Sequence, residues 1–222
     1  MTKPAKPSRR DLLRKTGVAA AALAGVNLHA RAAGVSSDKV AQENARPGTR
    51  DWMLDKPRID AATKYRCPWI EGYCSHASLR AGETLQVFVS TNPAAPFTLD
   101  VYRLGWYGGE GGRLMTSQGP IEGTVQSDPP VGPKRLRDCA WRPSAEVRIG
   151  DDWPSGVYVG KLTSTAEGWQ SYVIFIVRDD RRADFVFQCS DNTWQAYNRW
   201  PSQFALYDDG THPWYWGGGV QV

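Results

Sequence analysis

The sequence predicts a mainly β protein, an antiparallel β-sandwich followed by the start of an α/β segment. Three observations predict it. Short apolar runs separated by Gly, Pro and Asn fill the stretch from Tyr65 to Val177, and several of them alternate strictly. No stretch between 65 and 180 carries sustained helical periodicity. After the charged break Arg178-Asp179-Asp180-Arg181-Arg182, an apolar run, a polar cap and a helical run follow in the order that opens an α/β unit.

Residues 1–32 read as an export address and not as part of the fold. Ser8-Arg9-Arg10-Asp11-Leu12-Leu13-Arg14 matches the twin-arginine pattern, and Ala30-Arg31-Ala32 offers an A-x-A cleavage site. The apolar run Thr16–Leu28 between them is shorter than the roughly 20 residues a spanning helix needs. The expected location is therefore periplasmic or extracellular, reached through the twin-arginine export machinery, with no membrane contact after cleavage. Removing the leader also reverses the charge. The whole chain carries +4, but the leader holds seven of the 27 basic residues and one of the 23 acids, which leaves 20 against 22. A net charge of −2 has no basic footprint for nucleic acid or anionic lipid.

The mature chain then divides in order. Residues 33–64 are polar and small and read as an irregular, loosely held lead-in. Residues 65–180 form the sandwich. Thr84–Ser90 places Leu85, Val87 and Val89 on one face, and Phe97–Leu104 does the same with Phe97, Leu99 and Val101. Val157, Val159 and Lys161 share a face after the turn Trp153-Pro154-Ser155-Gly156. Ser171–Val177 is continuously apolar, as a central strand covered on both faces would be. In residues 181–222, Phe185–Gln188 reads as a strand, Ser190, Asp191 and Asn192 as helix caps, and Thr193–Asn198 as one or two helical turns before Pro201. Ten of the 25 aromatic residues lie in the last 38 positions. So aromatic a tail reads as the opening of a domain whose remainder lies beyond Val222.

Most familiar chemical patterns fail on inspection. Gly105-Trp106-Tyr107-Gly108-Gly109-Glu110-Gly111-Gly112-Arg113 lacks the Lys-Ser/Thr of a phosphate loop and fits a glycine-rich hairpin. His76 and His212 are far apart, and Ser155 is explained by turn chemistry. Cys189 has no base beside it in sequence. Cys67, Cys74, Cys139 and Cys189 allow three pairings, with buried thiols or one structural bridge expected; the short Cys67–Cys74 loop could close. Oxygen donors remain. Tyr197, Asp191, Asn192 and Tyr207 are expected at the carboxyl rim of the first α/β strand, where a tyrosinate would suit a hard metal.

Four blocks carry a resemblance: Val101–Gly109 (VYRLGWYGG), Trp153–Tyr158 (WPSGVY), Ser171–Arg178 (SYVIFIVR) and Asn192–Asn198 (NTWQAYN). In this order they resemble proteins similar to the large (β) subunit of N,N-dimethylformamidase, over about Glu71 to Tyr207. The resemblance implies an immunoglobulin-like sandwich followed by a class I glutamine-amidotransferase-like α/β domain. It further implies a mononuclear iron, held by two tyrosines and a glutamate, that activates water to cleave the C–N bond of small formamides. Tyr197 is the implied first tyrosine ligand and Tyr207 the fallback, with the other two donors expected beyond Val222. On that expectation the chain as written retains no iron and is catalytically silent. The implied partners are a small amide substrate and either a small subunit or further copies of the chain. A second class of function stays open: a non-catalytic secreted β-sandwich that stacks a ligand on exposed Trp106, Tyr107, Trp214 and Trp216.

Overall fold

Alternation of apolar and polar residues does what the sequence predicts in the middle of the chain. In the computed structural model, which describes residues 36–61, 66–133, 136–183, 185–201 and 205, Thr84–Ser90 and Phe97–Leu104 are strands to the residue. The described strands are β1 (Glu71–Cys74), β2 (Ser78–Leu79), β3 (Thr84–Ser90), β4 (Phe97–Leu104), β5 (Gly112–Ile121), β6 (Ala145–Arg148), β7 (Gly156–Ser164) and β8 (Gln170–Val177). Helix α1 (Ser36–Asn44) precedes them and α2 (Asp191–Tyr197) follows.

The strands form two sheets, ordered β1-β3-β6 and β2-β8-β7-β4-β5. All described pairs of named strands are antiparallel except β2 with β8, which makes the larger sheet mixed. Leu85, Val87 and Val89 of β3 meet Phe97, Leu99 and Val101 of β4, with Tyr158, Leu162, Val173, Phe175 and Val177 completing the core between the sheets. Each such fully buried side chain contributes about 1.5–3 kcal/mol. Gly160 sits where β7 and its neighbours approach closely, since a Cβ there would stand 2.7 Å from Val173 and 2.8 Å from Leu99. The longest helical feature between Thr84 and Val177 among the described residues is the single 3-10 turn Tyr107–Gly109.

One strand face is assigned and two expectations need correction. First, Val157, Val159 and Lys161 do share a face of β7, the outer one, while Tyr158, Gly160 and Leu162 point into the core. Second, the lead-in is not loosely held. It contains α1 and lies over that outer face, where the buried Lys161 ammonium donates to the carbonyls of Asp51 (2.8 Å) and Met53 (2.9 Å). The Gln170 side-chain carbonyl accepts from the amides of Asp55 (3.0 Å) and Lys56 (3.1 Å), and the Tyr172 hydroxyl donates to the Trp52 carbonyl. A segment short of apolar residues is thus fastened by hydrogen bonds to its backbone. Third, Phe185–Gln188 forms no strand: Phe185, Val186 and Phe187 are 90%, 93% and 83% exposed. An isolated apolar run gains strand structure only from a neighbour to pair with. Ile174, at 48% exposure, likewise shows that β8 is not covered on both faces throughout.

A buried charge cluster locks α1 to the glycine-rich hairpin. Glu43, 4% exposed, accepts from the Tyr107 hydroxyl (2.7 Å) and Arg113 Nε (2.6 Å). Arg103 extends the chain of bonds, donating to the Tyr107 hydroxyl (2.9 Å) and the Ser155 carbonyl (2.9 Å). Burial pushes the Glu43 carboxyl up, but the hydrogen bonds from Arg113 and Tyr107 and the charges of Arg113 and Arg103 outweigh it and hold it below its usual value. Tyr107 takes a positive φ of 42° inside this hairpin, beside Gly108 and Gly109 at 68° and 96°. The glycines serve backbone geometry, as the hairpin reading requires.

Candidate functional site

The helix predicted near Thr193 does form, as α2, and it makes one wall of a cleft against the sandwich. Asp191, Trp194, Gln195 and Asn198 recur at helical spacing and together make one wall. Opposite them stand Glu71, Tyr73, Cys74 and His76 on and after β1, and the stretch Tyr172–Ile176 of β8 forms the floor. Leu136, Cys139 and Trp141 come from the β5–β6 connection. The cleft has a volume of about 720 Å³.

One tryptophan fastens the α2 segment to the sandwich. Trp200 Nε1 donates to Glu71 Oε2 at 2.8 Å, and its ring meets Trp141 edge-on at 5.6 Å. The Arg66 guanidinium lies 5.4 Å from the same ring, pairs with Glu71 and donates to Asp128 at 2.8 Å. Glu71 is thereby satisfied from both sides, as a largely buried carboxylate must be.

The expected donor group does not come together among the described residues. Asp191 lines the cleft, Asn192 is exposed away from it, and Tyr197 is 47% exposed on another face of α2. Tyr207, Trp214, Trp216 and His212 lie outside the described residues. Residues at i, i+1 and i+6 of one helix point in different directions, so a single short helix cannot converge them. Among the described residues no group of three His, Cys, Asp or Glu side chains could hold a metal ion. Of the implied two tyrosines and glutamate, the described residues include the Tyr197 position, while the fallback Tyr207 lies outside them.

Nucleophile chemistry finds no better support. All four cysteines are free thiols. Burial pushes the Cys74 thiol up to about 12 and the Cys139 thiol up to about 11, the latter helped by Asp138, Asp128 and Glu71. Cys189 is also raised, by burial and the charge of Asp191, which is opposite to what an activated nucleophile needs. Ser155 accepts from Arg181 Nη2 at 3.2 Å and supports the β7 turn. Of the aromatic ligand platform, Trp106 is 68% exposed, but Tyr107 is 2% exposed and hydrogen-bonded inside the Glu43 cluster. That removes Tyr107 from any stacking surface.

A family model described as N,N-dimethylformamidase beta subunit-like, C-terminal, matches residues 98–219, more than half of the chain. The chain belongs to this family. The match begins within β4 and takes in β5 to β8 and α2, so both the floor and the helical wall of the cleft lie in the family's region. No curated protein matches the chain significantly. Sequence reasoning reached the dimethylformamidase-like family and α2, but it missed the cleft face of that helix. The signal was present in the spacing of Asp191, Trp194, Gln195 and Asn198, which is amphipathic without being apolar. Among the described residues no helix is long and apolar enough to cross a membrane.

Proposed function

We propose that this chain is an exported component of a dimethylformamidase-like hydrolase that cleaves the C–N bond of small formamides, and that its described part acts as scaffold. The observation behind this reading is the docking of α2 on the sandwich through Trp200 and Glu71, which holds Tyr197 half-exposed on a fixed helix within the family-matched region. On this reading Tyr197 is one donor to a metal centre, and the other donors are expected outside the described residues. Iron, when bound, would supply a Lewis acid and an acidified water. On this reading the described side chains contribute the mounting of the helix.

The test uses the full chain. Bound iron and hydrolysis of N,N-dimethylformamide are measured for the wild type and for Tyr197→Phe, which removes the donor oxygen and keeps the ring. Substoichiometric iron without turnover supports the scaffold reading. Stoichiometric iron with turnover in the isolated chain would overturn it, and iron retained equally by Tyr197→Phe would remove Tyr197 from the ligand set. Export is tested separately by fusing residues 1–40 to a folded reporter. Replacing Arg9 and Arg10 by lysine should abolish export if the twin-arginine reading is right.

A further inference from the structure

Among the described residues Arg103 is a buried cation that meets no carboxylate directly. It is 7% exposed, near the end of β4, in the row that continues Phe97, Leu99 and Val101. Its three hydrogen bonds to described residues all go to neutral oxygens: the Leu104 carbonyl (3.4 Å), the Tyr107 hydroxyl (2.9 Å) and the Ser155 carbonyl (2.9 Å). Its Nε meets no acceptor among them. The β4–β5 register sets Arg103 directly opposite Arg113, which puts two like charges side by side. Glu43 pairs with Arg113 directly and reaches Arg103 only through the Tyr107 hydroxyl.

The Ser155–Gly156 step brings in a third guanidinium. Arg181 Nη2 donates to Ser155 Oγ at 3.2 Å, while Arg103 holds the carbonyl of the same serine. Arg181 Nε pairs with Asp179, but Arg181 Nη1 and Arg113 Nη2 are buried without an acceptor among the described residues. Three guanidiniums thus face two carboxylates, Glu43 and Asp179, and one positive charge is left over. Arg46, which also pairs with Glu43, is 51% exposed and is answered by water. Buried charge persists in a fold when it is paired. The Nε–Nη2 edge of Arg103 is turned to the bare side of Gly156, where a Cβ would stand 3.2 Å from both nitrogens. The glycine leaves that edge uncovered.

We propose that one small monovalent anion binds at this edge, accepting from Arg103 Nε beside Gly156, with Arg181 as the second cation. Guanidinium N–H groups give such an ion short, charge-assisted hydrogen bonds. One negative charge closes the count of charges, whereas a divalent oxyanion would overshoot it. A halide and a small carboxylate such as formate share this chemistry. Because Arg103 ends β4, Gly156 opens β7 and Arg181 follows β8, an ion held here ties the segment leading to α2 onto the sandwich. The inference does not depend on whether the chain hydrolyses amides.

Urea unfolding of the full chain in sodium gluconate, sodium chloride and sodium formate, at matched ionic strength over a concentration series, tests it. Screening is common to the three salts, whereas an ion bound only by the folded state raises the midpoint further as its concentration passes its Kd. The expected result is a higher midpoint in chloride or formate than in bulky gluconate, and the larger rise tells a halide site from a carboxylate site. Arg181→Gln removes the second cation at a side chain that is 30% exposed. Gly156→Ala places a methyl against the Arg103 edge and keeps every charge. Each should weaken the apparent anion affinity at least about tenfold, read from the concentration dependence. The readout is a difference between salts, so a general loss of stability in either variant does not mask it. Equal midpoints in all three salts overturn the proposal. So does an anion-specific gain that both variants retain in full, which would place the ion elsewhere.

Discussion

Residues 36–57 and residues 178–201 flank the same sandwich and are held to it by different means. The first has a buried carboxylate bonded to a tyrosine and an arginine, plus a run of backbone carbonyls and amides taken up by Lys161, Gln170 and Tyr172. The second has the Trp200–Glu71 bond, the Arg181–Ser155 bond, and a stretch of exposed phenylalanines between them. Neither offers much apolar burial. The difference shows that a polar segment becomes part of a fold when its hydrogen bonds are numerous and sheltered, whereas aromatic content alone leaves a segment on the outside.

The sharpest way to break this comparison is to remove the lead-in's buried carboxylate. Glu43→Ala leaves Arg113 and the Tyr107 hydroxyl without their shared partner in a buried place and should cost about 3 kcal/mol, read from urea unfolding. A loss under about 1 kcal/mol would mean that the lead-in is held elsewhere. The isosteric Glu43→Gln adds a pH signature. The Glu43 carboxyl sits below its usual value of 4.5 in the folded chain. A group depressed on folding contributes stability above its unfolded pKa and loses it as the pH falls through its folded one. The wild type's advantage over Glu43→Gln should therefore be full at neutral pH and shrink below the ordinary carboxylate range. An advantage that is flat down through that range would disconnect it from ionisation.

Removing the equivalent bond at the other end should matter less. Trp200→Phe keeps a ring against Trp141 and loses only the indole donor, while Glu71 keeps Arg66. A global cost of about 1 kcal/mol is expected, with faster amide exchange concentrated in α2. If Trp200→Phe matched Glu43→Ala, the two ends would be equally integral and the contrast would fail.

What the sequence revealed follows the same division. Strands β3 and β4 were legible because Leu85, Val87, Val89 and Phe97, Leu99, Val101 alternate and face one apolar layer. Helix α2 was legible from its caps and the proline beyond it, within two residues of its start. The lead-in was not legible from its apolar content, because its contacts are main-chain groups meeting Lys161, Gln170 and Tyr172 far along the chain. Val157, Val159 and Lys161 were correctly grouped but are the outer face, since a lysine at 9% exposure is buried under the lead-in's carbonyls. The site was the least legible. Tyr197 is on the helix as expected, yet the cleft belongs to Asp191, Trp194, Gln195 and Asn198, and only the placement of α2 against β1 and β8 makes that face matter.

The smallest expected effect is at Trp106, and it sharpens the contrast between aromatic content and integration within a single dipeptide. Trp106 and Tyr107 are adjacent in the same hairpin, yet one ring is 68% exposed and the other is sealed against Glu43. The hydrogen bonds at Trp106 belong to its backbone: its amide donates to Asn44 Oδ1 at 3.0 Å, and its carbonyl accepts from the Gly109 amide at 2.8 Å. Trp106→Ala keeps both bonds and should change stability by no more than about 0.5 kcal/mol in thermal or urea unfolding. Tyr107→Phe removes one hydroxyl that both donates to Glu43 and accepts from Arg103, and should cost about 1–2 kcal/mol. The order of the two, with the smaller atomic change giving the larger loss, is the discriminating result. The reverse order would mean that the exposed indole carries packing the hairpin depends on, and that the Glu43 cluster contributes little to fastening α1.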